Sequence, residues 1–210
     1  MIGIGVWLAI EVALRRAKNQ KEVAGLTAVL PAAVLGGVIG ARLYHVIDFW
    51  SRYYQLNPVK IFYFWEGGLG IWGAIVGSMF SIYIFCLIKK INFMVILDSL
   101  IVGGPLAQAV GRLGNWMNGE LYGKNGEPLF AYEAGLNLIL FVFLWWWTKK
   151  KTRPGQLTGL YLIGYGLIRI LLEGLRPQEI IWKVNEVPMA MIWGGVAVAI
   201  GSWLAWRKQS

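Results

Sequence analysis

The most polar part of this otherwise apolar chain is the segment Gly111–Gly123, which reads Gly-Arg-Leu-Gly-Asn-Trp-Met-Asn-Gly-Glu-Leu-Tyr-Gly. It places Arg112, Asn115, Asn118 and Glu120 where an apolar, helix-like stretch ends. Ionised side chains are costly at such a place, so they favour a chemical role over a packing role. The guanidinium and the two amides can all donate hydrogen bonds, which makes them suited to binding an anion.

A second polar group lies in a later apolar stretch, where Tyr165, Arg169, Glu173 and Arg176 are spaced four, four and three residues apart. On an α-helix this spacing puts the four side chains on one face. One interpretation is an Arg–Glu pair that fixes helix packing. The other is an anion site, because one glutamate neutralises only one of the two arginines and leaves a positive charge for a ligand.

Arg112 adds a third cation at the outer end of its own apolar stretch. Planar guanidinium groups match the geometry of a phosphate diester. We therefore expect Arg112, Arg169 and Arg176 to meet around one phosphate at the outer membrane boundary. Such a site would hold a phospholipid headgroup while the lipid tails stay in the bilayer.

The composition is that of a polytopic membrane protein. Of 210 residues, 57% are hydrophobic and 15% are charged, and the mean hydropathy is +0.55; a soluble chain carries about a quarter charged residues. The net charge of +9 does not indicate nucleic-acid binding, because the basic residues form short runs between apolar segments. One His and one Cys exclude the usual zinc patterns, so we expect neither metal nor cofactor.

Seven apolar stretches approach the length needed to span a bilayer. They cover residues 1–14, 24–47, 67–88, 93–111, 129–147, 157–175 and 187–206. Lys and Arg cluster in the connections on one side of a seven-span zigzag, at residues 15–21, 89–90, 149–153 and 207–208. That side should be the cytoplasm, which puts the N-terminus outside and the C-terminus inside. We predict an all-α polytopic integral membrane protein with about seven transmembrane helices, forming a single domain over residues 1–210.

Two further expectations concern the outer connection before the fifth stretch and the length of the first stretch. The outer connection between Gly123 and Pro128 is only four residues long, so the extracytoplasmic head should be minimal. The first stretch, residues 1–14, would reach about 21 Å at 1.5 Å per residue, which is short of a ~30 Å hydrocarbon core. We therefore expect the first helix to be truncated at its N-terminus.

Several other features have mainly a structural explanation. Small residues recur in 36–41 and 67–77, a pattern typical of close helix packing in lipid, and a second role would be to leave room for a lipid tail between helices. Residues 48–66 mix aromatic and charged side chains and suit an interfacial belt along the lipid headgroups. Arg42 and His45 lie near the outer end of a span, where a satisfied or snorkelling side chain is more common than a catalyst.

The segment Gly111–Gly123 resembles the signature of bacterial prolipoprotein diacylglyceryl transferases. Other segments agree in the same order. Trp65–Leu69 resembles the family's Trp-acid-Gly-Gly element, Pro128–Glu133 its Pro-x-x-x-Tyr-Glu element, and Gly164–Arg176 its late Tyr-Gly, Arg, Glu, Arg series. The resemblance covers essentially the whole chain.

The resemblance implies an enzyme of the bacterial inner membrane that begins lipoprotein maturation. It would move the diacylglyceryl group of phosphatidylglycerol to the lipobox cysteine thiol in the signal peptide of a prolipoprotein, and release glycerol phosphate. The expected partners are phosphatidylglycerol, the prolipoprotein and membrane lipids, with no nucleic acid.

The resemblance and the local chemistry together name the site residues. Those expected to be catalytic are Arg112, Arg169, Glu173 and Glu120. Those expected to bind phosphatidylglycerol are Arg112, Asn115, Asn118, Gly123, Arg169 and Arg176. The arginines would stabilise charge on the phosphate leaving group, while Glu173 would orient an arginine and Glu120 would order the signature loop. Glu120, Glu173 and His45 are three candidates for the group that accepts the proton of the thiol.

Two departures from the family pattern leave other functions open. Relatives often carry a histidine near the position of Ile71–Gly73, and the family's first-span tyrosine would fall before Met1. The second departure favours either a start assigned too far downstream or an inactive paralogue. Further alternatives are a lipid-binding scaffold and a transporter or flippase that passes an anionic lipid along the same arginines. Asp98 is the only acid deep in a span, which weighs against transport, and a capped polar group near the inner boundary explains it.

Overall fold

The computed structural model describes residues 1–17, 20–177 and 181–207, and this part of the chain is almost entirely helical. The helices are α1 (Ile2–Arg16), α2 (Gln20–Asp48), α3 (Ile71–Lys89), α4 (Phe93–Ile101), α5 (Gly104–Met117), α6 (Leu129–Trp147), α7 (Gln156–Glu173) and α8 (Met189–Trp206). Short helical turns at Trp50–Tyr54, Pro58–Phe62 and Phe64–Glu66 connect α2 to α3. The strands β1 (Lys183–Val184) and β2 (Val187–Pro188) form an antiparallel hairpin before α8. The predicted all-α class is confirmed.

Several of the described helices have the length and composition of membrane spans. They are Glu22–Asp48, Ile71–Lys89, Leu129–Trp147 and Met189–Trp206, and the pair α4 and α5, bent by 42°, would make a fifth. Helices α1 and α7 coincide with predicted stretches, but they do not combine the length, hydropathy and low charge of a candidate span. The protein is therefore a multi-pass membrane protein, and the count of seven spans stays a prediction. Of the basic clusters, Lys18 and Lys208 lie outside the described residues.

The structure divides the fourth predicted stretch into two helices. Helix α4 ends at Ile101 and α5 begins at Gly104, with Pro105 in its first turn. Proline lacks an N–H and its ring would clash with the carbonyl of Ile101 in a continuous helix, so the chain breaks there. A Cβ on Gly103 would clash with the backbone of Ala9, so the break is also where α1 packs closely. Helix α5 then continues to Met117 and carries the first half of the polar signature.

The chain forms two compact units. The large unit contains Met1–Ala17 and Met94–Ser210, and the small unit contains Lys18–Phe93. In the large unit α5 packs against α1 and α6, and α7 packs against α6 and α8. Its core is a cluster of buried aliphatic side chains: Val12, Val102, Leu140, Leu144, Leu157, Ile168 and Leu172.

The start of α7 is held by a buried carboxylate on α4. Asp98 is only 3% exposed. One of its oxygens accepts hydrogen bonds from the N–H and the hydroxyl of Thr158, at 2.8 and 2.7 Å, and the other accepts from the N–H of Gly155 at 2.8 Å. These contacts satisfy N–H groups that have no partner within the helix and place negative charge at the positive end of its dipole. The expectation of a capped polar group at Asp98 is confirmed.

The small unit is built on close contact between α2 and α3. A Cβ on Gly40 would overlap the carbonyl oxygen of Gly73, and a Cβ on Gly77 would overlap that of Gly36. The hydroxyl of Ser78 donates to the carbonyl of Ala33 at 2.9 Å across the same interface. The predicted role of these small residues in helix packing is confirmed.

We expect Gly40→Ala to destabilise the small unit, because its methyl group has to push the two backbones apart. Overpacking of this kind costs about 1–3 kcal/mol. Cys86 on α3 is 2% exposed, so a thiol-reactive fluorophore added during a thermal ramp in detergent should report unfolding at a lower temperature. Gly135→Ala on α6 is the matched control, since a Cβ there meets nothing within 4 Å. Equal melting curves for the two variants would contradict the packing account.

Candidate functional site

Arg112 lies near the end of α5 and is held by two side chains. Its Nη2 makes an ion pair with Oε1 of Glu133 at 2.5 Å, and its Nη1 donates to Oδ1 of Asn115 at 3.0 Å. The Glu133 side chain, in the first turns of α6, is 3% exposed, whereas the Arg112 side chain is 27% exposed. The guanidinium is therefore fixed in orientation yet still reachable.

Glu133 is a site residue that the sequence reasoning missed. Sequence reasoning assigned no countercharge to Arg112, and the structure shows that Glu133 is its countercharge. The available signal was the resemblance of Pro128–Glu133 to a family element, which ends on this glutamate. A buried carboxylate needs a partner of opposite charge, so Glu133 and Arg112 each account for the presence of the other.

The second half of the signature turns back onto the end of α5. Asn115 donates through Nδ2 to Oε2 of Glu120 at 3.2 Å, and the N–H of Glu120 donates to the carbonyl of Asn115 at 2.8 Å. These two bonds are consistent with Glu120 ordering the loop. Asn118 is exposed and caps α5 through its backbone N–H, which donates to the carbonyl of Gly114 at 3.0 Å. Within the described residues the Asn118 side chain makes no hydrogen bond, so it is not joined to this network.

Gly123 is placed by packing. A Cβ there would overlap the Glu127 carboxylate and lie 2.9 Å from the carbonyl oxygen of Leu175. The N–H of Lys124 donates to that same carbonyl at 2.9 Å. The N–H of Asn125 donates to the Glu127 carboxylate and holds the pKa of Glu127 below its ordinary value. The short connection 124–127 is thereby attached to the turn that precedes Arg176.

Tyr165, Arg169 and Glu173 of the late series lie on α7 with the predicted spacing, whereas Arg176 follows in the turn after the helix ends at Glu173. Oε2 of Glu173 is 3.7 Å from Nη2 of Arg169 and 3.6 Å from Nη1 of Arg176. These distances are ionic contacts and not hydrogen bonds. The Glu173 side chain is 3% exposed, so one buried carboxylate is shared loosely between two arginines.

Tyr165 connects the two groups of charges. It lies within electrostatic range of Arg112, Glu133 and Arg169. We call these six residues the arginine cluster: Arg112, Glu133, Tyr165, Arg169, Glu173 and Arg176. It contains three guanidinium groups and two buried carboxylates, which leaves one positive charge in excess.

Two donors of this cluster are not used by the protein. The Nε atoms of Arg112 and Arg176 are buried and have no hydrogen-bond partner among the described residues. A buried donor without a partner is unfavourable, and an anion beside the arginines would satisfy it. The geometry therefore suits an anion, and the roles assigned to the arginines toward a phosphate stay predictions.

A neutral polar layer lies one helical turn from Arg112. Gln108 donates through Nε2 to the hydroxyl of Tyr161 at 2.9 Å, and the ring of Tyr161 stacks on that of Tyr165 with centroids 5.8 Å apart. The sequence reasoning missed both Gln108 and Tyr161. Their spacing of four residues from Arg112 and Tyr165 was the signal that could have found them.

The third candidate for the thiol base belongs to the other compact unit. His45 belongs to the small unit, where its Nδ1 is 3.0 Å from the Tyr54 hydroxyl. Glu120 and Glu173 both belong to the large unit.

We expect Glu133→Gln to destabilise the large unit by roughly 2–3 kcal/mol, because it leaves Arg112 without a countercharge. This is below the full cost of breaking a buried pair, since the Arg112 side chain is 27% exposed. The double variant Arg112→Met/Glu133→Leu should recover the lost stability, because well-packed apolar residues replace ion pairs without loss. The fraction of protein that remains monodisperse after heating measures the stability of the single and the double variant. A double variant no more stable than Glu133→Gln would contradict the electrostatic explanation.

A model of the prolipoprotein diacylglyceryl transferase family matches residues 1–207 of this chain. Three similar proteins carry the name phosphatidylglycerol–prolipoprotein diacylglyceryl transferase. The protein of Bordetella parapertussis is 37% identical over 165 residues, which cover 70% of this chain and 63% of that relative. The protein of Corynebacterium diphtheriae is 32% identical, covering 84% of this chain and 75% of the relative. The protein of Parasynechococcus marenigrum is 34% identical, covering 95% and 81%.

The match therefore extends over nearly the whole chain, although the chain spans only 63% of the length of the Bordetella relative. It includes the helices that carry the arginine cluster, α5, α6 and α7. The chain belongs to the prolipoprotein diacylglyceryl transferase family.

Proposed function

We propose that this protein transfers the diacylglyceryl group of phosphatidylglycerol to the cysteine thiol of a prolipoprotein and releases glycerol phosphate. The observation that supports the proposal best is the arginine cluster, which presents three partly exposed guanidinium groups with one positive charge in excess. The names of the relatives in the family are in keeping with this activity.

The charge change in the reaction matches the charge of the cluster. The thiolate sulfur forms a bond to the glycerol carbon of the diacylglyceryl group, and the bond between that carbon and the phosphate oxygen breaks. The electron pair of the broken bond stays on the oxygen, so the phosphate changes from a singly charged diester to a doubly charged monoester. Groups that bind the phosphate more strongly as this charge develops lower the barrier.

Within the cluster we assign different tasks to the arginines. Arg112 is oriented by Glu133 and Asn115, and its side chain is 27% exposed, so its guanidinium would contact the phosphate. Arg169 and Arg176 share Glu173 at 3.6–3.7 Å, so either can tighten onto the phosphate without breaking a strong hydrogen bond. Glu173 acts as the positioning residue for both.

The remaining predicted binding residues would serve the headgroup. Asn115 connects Arg112 to Glu120 and so keeps the signature loop beside the guanidinium. Asn118 is exposed and would offer its amide to the hydroxyl groups of the headgroup. Gly123 keeps the outer connection close to Leu175, next to Arg176, where a side chain would not fit.

We assign the uptake of the thiol proton to Glu120. A cysteine thiol has a pKa of about 8.5, so at neutral pH a base has to take its proton. Glu133 and Glu173 are buried and held by arginines, whereas Glu120 is exposed and bonded only to an amide. It is thus the carboxylate of the site that a peptide can approach.

We place this site at the extracytoplasmic face of the bacterial plasma membrane, with the N-terminus outside and the C-terminus in the cytoplasm. The distribution of Lys and Arg along the sequence supports this orientation. The acceptor would be the lipobox cysteine of a signal peptide, and the whole chain would act as one transferase domain. Neither transport nor loss of activity finds support in the names of the relatives.

The assay that tests the activity combines purified protein, labelled phosphatidylglycerol and a lipobox peptide. We expect a thioether product that forms only when the peptide is present. Arg112→Ala and Arg169→Ala should each lower turnover by about 10²–10³, the usual effect of removing a group that stabilises developing charge. Lysine at either position should rescue only in part, because a point charge does not reproduce paired contacts to phosphate.

Arg153→Gln is the matched control for these variants. Arg153 is an exposed arginine in the connection before α7 and contacts none of the cluster residues, so its loss should leave turnover unchanged. Headgroup movement without a thioether product would favour transport instead. Normal turnover of Arg112→Ala or Arg169→Ala would remove that residue from the mechanism.

We expect Glu120→Gln to lower turnover at pH 7 by about 10²–10⁴, the usual contribution of a general base. The loss should shrink as the pH is raised above about 8.5, because the thiol then ionises without help. The pH profile of kcat/KM for the peptide measures this. An equal loss at every pH would mean that Glu120 only orders the loop.

A further inference from the structure

The small unit contains a cavity of its own. It has a volume of about 420 Å³ and lies between the end of α2 and the turns that lead to α3. Its lining includes Arg42, His45, Arg52 and Glu66 together with the aromatic rings of Phe49 and Tyr53. The proposed transfer reaction uses none of these residues.

Arg42 forms a rigid positive wall of this cavity. It is 4% exposed, and its guanidinium donates to the backbone carbonyls of Lys60, Ile61, Tyr63, Gly67 and Gly68. Carbonyl dipoles solvate the charge without cancelling it, so the wall keeps a positive potential. The expectation that Arg42 is a satisfied side chain is confirmed, and its bonds fix the shape of the residues that close the cavity.

His45 is oriented with one nitrogen available to the cavity. Its ring stacks on Phe49 with centroids 4.6 Å apart, and its Nδ1 lies 3.0 Å from the Tyr54 hydroxyl. When that hydroxyl donates to Nδ1, the neutral ring carries its proton on Nε2 and can donate it to a ligand. The ring position is therefore determined by contacts that leave Nε2 unused within the described residues.

The charges around the cavity favour an anion. Arg42 and Arg52 are cationic, and Glu66 is the acidic group of the lining. Glu66 already faces Lys60, whose Nζ is 3.7 Å from its Oε2. Arg52 is exposed and makes no hydrogen bond or ion pair within the described residues, so it can turn toward a ligand.

Two glycines with unusual backbone angles lie beside His45 and Arg42. Gly67 and Gly68 have φ values of +84° and +70°, which residues with a side chain rarely adopt. A Cβ on Gly68 would lie 2.8 Å from Cε1 of His45 and 2.9 Å from Nη1 of Arg42. A side chain at this position would therefore displace His45, which faces the ligand, and Arg42, which shapes the wall beside it.

We propose that this cavity binds the phosphate group of an organic anion through Nε2 of His45 and the guanidinium of Arg52, with Phe49 and Tyr53 covering the rest of the ligand. The phosphate could come from an anionic lipid headgroup or from a free molecule such as glycerol phosphate. The residues of this site belong to the small unit and those of the arginine cluster to the large unit, and the proposal stands whether or not the proposed transfer reaction is correct.

The test uses the fact that the chain contains a single histidine. Protein labelled with ¹³C-histidine gives one imidazole signal, which reports only on His45. We expect this signal to shift in nanodiscs that contain phosphatidylglycerol and to stay unchanged in phosphatidylcholine nanodiscs. A shift on adding glycerol phosphate to the phosphatidylcholine nanodiscs identifies a free phosphate as sufficient, and its absence there identifies the lipid headgroup as the source.

Variants show whether the signal reports the cavity. Arg52→Gln should weaken binding about tenfold, the usual effect of losing a charged hydrogen-bond partner, while the exposed control Arg153→Gln should bind as the wild type does. Arg112→Ala should leave the His45 shift intact. The proposal is overturned if neither phosphate source moves the signal, if phosphatidylcholine moves it equally, if Arg52→Gln binds normally, or if Arg112→Ala abolishes the shift. None of these outcomes bears on thioether formation, which tests the transferase separately.

Discussion

The large unit depends on the cost of a buried carboxylate. Glu133 and Glu173 are each 3% exposed, and carboxylates buried to this extent are unfavourable without cations beside them. Arg112 meets the first need, and Arg169 and Arg176 meet the second. Because this arrangement contains one arginine more than the acids require, the same interactions that make the fold possible also prepare it to attract an anion.

The helices give these charges their positions. Pro105 ends α4 and starts α5 on a new axis, so the guanidinium of Arg112 reaches Glu133 at the start of α6. The connection after α5 then folds onto the carbonyl of Leu175, one residue before Arg176. Three helices and one short loop are thus joined by backbone and side-chain contacts around a single set of charges. In the small unit, backbone carbonyls accept hydrogen bonds from Arg42 and so stabilise its buried charge.

The sequence was informative where one interaction dominates. Hydropathy located α1, α2, α3, α6, α7 and α8 within a few residues, since lipid requires long apolar segments. It predicted a single stretch, 93–111, where the structure has α4 and α5. Helical spacing correctly brought Arg169 and Arg176 beside Glu173, although α7 ends before Arg176. It did not find the break before Pro105 or the partnership of Arg112 with Glu133. The latter joins residues 21 positions apart on different helices, and periodicity within one helix carries no information about such pairs.

The cap formed by Asp98 has an effect far from its own position. Successive residues of an α-helix are rotated by about 100° around the helix axis. If α7 began one residue earlier or later in the same place, its polar face would be rotated by that angle. Because the Asp98 carboxylate accepts hydrogen bonds from both Gly155 and Thr158, the first turn of α7 is fixed and this rotation is prevented. One carboxylate near the other end of α7 therefore acts as the angular reference that keeps Arg169 and Arg176 aimed at their shared glutamate.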